Sequence, residues 1–288
     1  MTFFPDNTAN VVLAGPGAAA DLPERAWYLS EHHLVGRKSC GVVLASGWAD
    51  YTEPKANHLW FKTARGDGAF WLGAVTEPRE FYLPIYVHKT LGQPFHEIND
   101  GIWSDIDYHS EARLHVNSTR GTRFVDFRLA DQPKVSMEFD PAFDGFQPYL
   151  VPVICGRPWW YGPEDVFEWV NGQPVEGRKL RNSGDQKGEP AWTIQGPGAF
   201  QIPDGQGDTV VTTPNLYPGE IARIHTARSK YIAKSNMRPN LYRDMGAQRF
   251  RYPVPGRKSV DMSKLRVIGG NEYSSAVCTI HPKSRRPW

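Results

Sequence analysis

The clearest hydrophobic pattern in the chain lies within Asp67–Lys89. Phe81, Leu83, Ile85 and Val87 alternate there with Tyr82, Pro84, Tyr86 and His88. Period-two alternation predicts a strand with the first set on its core face and the second on its outer face. Glu77-Pro78 marks a turn before it. Pro84 has no amide hydrogen to give a ladder, so the pattern predicts an edge strand or a bulge.

Other segments follow the same logic. Val42-Val43-Leu44 is an apolar run among the turn residues of Gly36–Trp60 and reads as one or two short strands. Phe95, Ile98 and Ile102 share one helical face within Gln93–Ile106, although Gly101 weakens that helix. Arg113–Val116 and Arg123–Leu129 read as paired strands around a loop from Asn117 to Thr122. Val135–Phe139, Tyr149–Cys155, Val166–Val170, Trp192–Ile194, Phe200–Ile202, Thr209–Thr212, Glu220–Thr226, Leu265–Ile268 and Ala276–Ile280 are further strand candidates. Asn171–Glu189 is polar and glycine-rich and reads as loop. Two helices complete the list. One starts at Asp21-Leu22-Pro23-Glu24 with Leu22, Ala26 and Leu29 on one face. The other lies within Asn240–Phe250 and ends before Pro253. Residues 1–20 have little pattern and read as an arm that orders only against a neighbour. The fold class expected is mainly β, with two β-sandwich-like domains and one or two short helices.

Composition narrows this. A chain of 288 residues with 27 glycines and 24 prolines suits many short strands and turns. The N-terminus has neither a basic start nor a long apolar core, so no signal peptide is expected. No run approaches the roughly 18 apolar residues of a spanning helix. Cys40, Cys155 and Cys278 include no C-x-x-C pair and are expected as reduced thiols rather than zinc ligands. Net charge is +2. Even so, ten Lys or Arg stand against one acid, Asp244, between Arg223 and Lys258. Apolar residues interrupt that segment, so it is expected to be folded and structural rather than a nucleic-acid surface.

Candidate chemistry is sparse. His32-His33, His88, His96, His109 and His115 lack metal-ligand spacing. Glu164, Asp165 and Glu168 lie beside Trp159, Trp160 and Trp169, which raises a glycosidase or a sugar platform. Acids this close in sequence, however, fix no separation across a cleft. Gly15-Pro16-Gly17 and Gly66-Asp67-Gly68 make no phosphate loop. Ser39-Cys40-Gly41 lacks the context of a nucleophile turn. No catalytic, cofactor-binding or metal residue is therefore assigned, no cofactor is expected, and the expectation is a non-enzyme.

Five segments in order carry a resemblance. They are Asp67-Gly68-Ala69 leading to Arg79-Glu80-Phe81-Tyr82-Leu83-Pro84-Ile85; the helix and hairpin of Pro94–Leu129; Arg157-Pro158-Trp159-Trp160; Gly188–Thr226, with its W-x-I-x-G-P-G and later P-G-E; and Arg249–Pro255 with the terminal Arg285-Arg286-Pro287-Trp288. Together they resemble the distal tail proteins of phages with long non-contractile tails, often called minor tail proteins in phages of actinobacteria. The family more often has Asp where Arg157 stands, and residues 1–66 match least. The resemblance implies an N-terminal ring-forming β domain with an arm over residues 1–156. It implies a second sandwich over 157–288, similar to galectins and other carbohydrate modules. It also implies a ring, usually of six copies, at the virion tail tip, assembled in the host cytoplasm. The partners implied are the tail tube protein, the tail-tip hub or tail-associated protein, the tape measure protein and receptor-binding fibres. No sequence-specific nucleic acid and no membrane segment is expected. The alternative reading is a carbohydrate-binding module for host cell-wall glycan.

Overall fold

A computed structural model describes residues 10–16, 26–30, 40–48, 50–64, 66–119, 121–135, 140–207, 209–227 and 232–288. The chain is mainly β and divides into two compact units. The first comprises Met1–Trp160 and Arg285–Trp288; the second is Tyr161–Ser284. The division thus falls a few residues beyond Gly156, and the last four residues belong with the first unit rather than the second.

The first unit contains β1 (Asn10–Ala14), β2 (Ala26–Tyr28), β3 (Val42–Leu44), β4 (Ala56–Phe61), β5 (Phe70–Thr76), β6 (Arg79–His88), α1 (Phe95–Asp105), β7 (Ala112–Ser118), β8 (Gly121–Leu129), β9 (Lys134–Val135), α2 (Pro141–Asp144) and β10 (Phe146–Cys155). Its main sheet runs β2-β1-β7-β8-β10-β6-β3. The two ends of that order approach each other, because Leu44 N–H donates to Leu29 O at 2.7 Å and Leu29 N–H to Val11 O at 2.8 Å. The sheet therefore curls into a nearly closed barrel. Its interior holds Val11, Leu13, Leu83, Ile85, Leu114, Val116, Val125, Phe127, Val151 and Val153. Each such side chain, fully buried, contributes roughly 1.5–3 kcal/mol.

Helix α1 closes one side with Ile98 and Ile102. Gly101 stands in this helix for a packing reason. The Trp27 ring lies 3.2 Å from where a Cβ would sit, and Trp27 Nε1 donates to Asp105 Oδ2 at 2.7 Å.

Three expectations for this unit change. Asn10–Ala14 is not arm but strand, paired with both β2 and β7 and buried at Val11–Ala14. Ala26–Tyr28 is strand rather than helix; residues 21–25 of that expected helix lie outside the described residues, as does His32-His33. Strand β6 is interior, not an edge, with β10 on one side and β3 on the other. Pro84 is accommodated because its backbone polar groups face β3, whose pairing ends at Leu44↔Ile85; only the Pro84 carbonyl is used there, by Ala45 N–H at 2.9 Å. Of the Val135–Phe139 candidate, Val135 lies in strand β9, and residues 136–139 lie outside the described residues.

The chain passes into the second unit at β11 (Trp160–Tyr161). There follow β12 (Asp165–Val170), β13 (Lys179–Arg181), β14 (Ala191–Gln195), β15 (Ala199–Pro203), β16 (Val210–Thr212), β17 (Ile221–His225), β18 (Ile232–Ser235), β19 (Ser259–Asp261), β20 (Arg266–Ile268), β21 (Ser275–Ile280) and β22 (Lys283–Ser284). A five-stranded sheet, β12-β21-β14-β17-β18, supplies Phe167, Trp169, Trp192, Ile194 and Ile224 to one core. A three-stranded sheet, β16-β15-β20, supplies Phe200, Ile202 and Val211 to the same core, and the β13-β19 pair adds Leu180 and Val260.

The expected helix within Asn240–Phe250 is a series of turns. Met245 N–H reaches Leu241 O, but Gly246 takes φ 61° and ends the coil before a second helical turn forms. Leu241, Met245 and Phe250 are buried in the second core all the same. The G-P-G turn at 196–198 marks close backbone approach. A Cβ on Gly196 would stand 2.4 Å from Tyr217 O, and Gly198 has φ 113°.

Candidate assembly surfaces on the first unit

The side chains that raised enzyme or glycan chemistry do not converge. Glu164 pairs with His281 at 3.4 Å, while Asp165 accepts the Ser183 N–H at 2.6 Å. Trp160 and Trp169 are buried, with indole N–H groups donated to Tyr51 O and Gln173 O respectively. Neither ring is presented as a sugar platform. Burial raises the Cys155 thiol to about 12 and lifts Cys278 as well, the reverse of an activated nucleophile. Among the described residues no group of three or more His, Cys, Asp or Glu could hold a metal ion. Nor among these residues is any helix long and apolar enough to cross a membrane.

The basic segment is woven into the second unit. Arg238 reaches the fully buried Glu220 with two contacts of 2.8 and 2.9 Å, and Asp244 with a third of 3.0 Å. Ser235 Oγ–H and Tyr217 N–H also donate to that carboxylate. Burial alone would push the Glu220 carboxyl up; the four donors outweigh it and hold it at about 2.

In the first unit the Arg-Glu of the sequence motif acquires a physical role. Arg79 is 1% exposed at the start of β6. Its guanidinium donates to Pro158 O at 2.7 Å, to Arg285 O at 2.9 Å and to Tyr51 O. One planar fork thus ties together three stretches of backbone remote in sequence. Burial lowers its pKa to about 10, which leaves it charged at neutral pH.

Ahead of β6 stands an apolar hairpin that sequence reading missed. Among the described residues strands β4 and β5 pair only with each other. Trp60 faces Trp71 across the pair and Phe61 faces Phe70, with an irregularity in register after Leu59. Trp71 Nε1 donates to His58 Nδ1 at 3.1 Å. Both faces of the hairpin are apolar and in water: Trp60 is 56% exposed, Phe61 54%, Phe70 66%, Trp71 59% and Leu72 67%. A lone two-stranded ribbon is at best marginally stable in water, and an apolar patch of this kind marks an interaction surface.

A second apolar surface lies on the outer face of β6 and β10. The register sets Pro148 beside Tyr86, Leu150 beside Pro84, Pro152 beside Tyr82 and Ile154 beside Glu80. Tyr82 and Tyr86 are exposed, and Phe146 continues the row against Tyr86 at 5.3 Å. Toward the root of the hairpin this face forms the floor of a groove of about 840 Å³ lined by Tyr82, Pro152 and Ile154. Asp50, Glu53, Glu77, Glu80 and Asp131 line the same groove, against the cations Lys55 and Arg79.

No protein-family model matches the chain, and no curated protein matches it in sequence. Solved structures do share its fold. The Dit protein of phage SPP1, described as a paradigm of the hub adsorption apparatus of phages infecting Gram-positive bacteria, superposes with TM-score 0.60 at 11% identity, over 95% of this chain and 98% of that one. A chain of the phage p2 baseplate in its strontium-activated conformation gives TM-score 0.50 at 10% identity, over 96% of this chain and 99% of that one. At such identities the likeness is one of fold.

Proposed function

We propose that this chain is a structural protein of a phage tail tip. In this reading copies of it form a ring, of six in the distal tail family it resembles, between the tail tube and the tail-tip hub. The observation that carries the reading is the end-to-end match to the SPP1 Dit fold, spanning 95% of this chain and 98% of that chain. The two apolar surfaces of the first unit support it, because a head-to-tail ring needs two different complementary patches on each subunit. The role is geometric rather than catalytic: the ring holds its neighbours in register and leaves an axial opening for DNA. Fibres or other tail proteins attach around it. Antibody labelling of purified virions, read by electron microscopy, tests this. Label at the tail tip is expected; label confined to the capsid, or none on particles that contain no copy by mass spectrometry, overturns it.

A further inference from the structure

The hairpin of β4 and β5 and the groove at its root are complementary in two respects. The first is apolar. Trp60, Phe61, Phe70 and Trp71 are each more than half exposed, and the groove floor is the exposed Tyr82 ring with the half-buried Ile154 and the buried Pro152 beside it. An aromatic side chain covers about 150–250 Å², so burying what these four still expose removes roughly 400 Å² on the hairpin side. Leu59, Leu72 and Val75 add to this. The total is a large part of the ~800 Å² per partner of a stable interface. The second respect is charge. Between the two hairpin strands the sequence has Lys62, Arg65 and Asp67, of which Arg65 lies outside the described residues. Five carboxylates line the groove, as given above; Glu53 is shared with Arg286 at 3.0 Å, and Glu77 accepts from Asn57. Glu80 and Asp131 are exposed and enter no ion pair among the described residues. Of the cations nearby, Arg79 holds three carbonyls and Lys134 lies over the Tyr82 ring at 5.2 Å, which leaves Lys55 as the groove's own exposed cation against its five carboxylates.

We propose that the hairpin of one copy seats in the groove at the root of a second copy's hairpin, aromatics over Tyr82, Pro152 and Ile154 and Lys62 toward Glu80 and Asp131. Donor and acceptor sit on one unit and differ from each other, so the contact is heterologous and runs head to tail. This rests on the ring reading and names the surfaces that would close the ring.

Two experiments on the full chain test it. The first measures mass by light scattering over a range of concentrations for the parent and for Trp60→Ser/Phe70→Ser. The doubly substituted chain is expected to keep its unfolding midpoint, since both residues are exposed, and to associate at least about tenfold more weakly. In the same assay Lys62→Glu and Glu80→Lys should each weaken association, more so at low salt, and their combination in one chain should restore it. The second experiment mixes Phe61→Cys chains with Ile154→Cys chains under mild oxidation. A mixed disulfide dimer is expected, above the background of the parent, whose Cys155 and Cys278 are buried and whose half-buried Cys40 is replaced by Ser in both chains. If the doubly substituted chain assembles as well as the parent and the mixed cross-link fails, this docking is overturned while the ring stands. A parent that stays monomeric and never cross-links overturns the docking, leaving virion labelling to decide the tail-tip reading. Should the serine substitutions lower the unfolding midpoint, the cross-link decides alone.

Discussion

At the scale of single residues, buried charge organises both units. Arg79 and the Glu220–Arg238 pair are each surrounded by donors or acceptors of the opposite kind, which is what makes such burial tolerable. Glu220 also makes stability depend on pH in a defined direction. Its folded carboxyl lies at about 2 against an ordinary 4.5, so the charged form is the one the fold favours. The stabilisation is complete above about pH 4.5 and is lost as pH falls through 4.5 toward 2. A Glu220→Gln chain lacks that charge at every pH. Its deficit in denaturant midpoint relative to the parent should therefore be large at pH 6 and shrink steadily between pH 5 and pH 2. A deficit that stays constant would mean that the carboxylate is not held by its four donors. The basic segment named Arg238 as one of ten cations in a run, but nothing in the run said that Arg238 would be the one facing a buried acid. That partner lies 18 residues upstream on another strand end, a separation that periodicity does not report.

Elements were legible where one face is buried and the other is not. Strand β6 and the second half of β8 alternate because their inner residues meet the barrel core and most of their outer ones do not, the buried Pro84 of β6 being an exception. The β4–β5 hairpin escaped because both its faces are apolar; Leu59-Trp60-Phe61 and Phe70-Trp71-Leu72 show no period at all. A surface intended for a partner reads like neither core nor solvent face. At strand β2 the spacing of Leu22, Ala26 and Leu29 fits a helical face, and three residues are too few for alternation to contradict it. Strand β1 was hidden for a related reason: Val11, Val12, Leu13 and Ala14 are all buried, so they do not alternate, and small residues flank them. Its position predicts the effect of removing it. Deleting residues 2–14 exposes the ladders of both β2 and β7 and takes Val11 and Leu13 from the core, at roughly 1.5–3 kcal/mol each before the lost hydrogen bonds are counted. Against a typical domain stability of about 5–15 kcal/mol, the first unit should lose its cooperative unfolding transition while that of the second unit persists. An arm that only bridged subunits would leave both transitions in place.

At the scale of the whole molecule, the chain leaves the first unit at Trp160 and returns to it at Arg285. Both sequence signatures, Arg157-Pro158-Trp159-Trp160 and the terminal Arg285-Arg286-Pro287-Trp288, lie in the first unit. Pro158 and Arg285 offer their carbonyls to Arg79, and Trp160 is sealed in the first core with its N–H on Tyr51 O. The sequence showed these motifs as far apart as 128 residues can be; only the shared guanidinium explains why they belong together. The return is further held by Arg286 on Glu53 at 3.0 Å and by the Trp288 ring set edgewise on Tyr51 at 5.4 Å. Cutting the chain at Ser284 removes all of these at once. Arg79 then keeps two of its three carbonyls, and the aromatic contact is gone. Taking about 1.5–3 kcal/mol for a charged hydrogen bond and about 0.5–1.5 for the aromatic pair, the first unit should lose roughly 2–4 kcal/mol, with little change in the second. Urea unfolding followed separately for the two transitions measures this. An Arg79→Met chain should lose at least as much, since it strands all three carbonyls in a buried site. Combining Arg79→Met with the truncation should then cost less than the sum of the two, because part of what the tail contributes passes through Arg79. Strict additivity would show that the tail stabilises the first unit without the arginine.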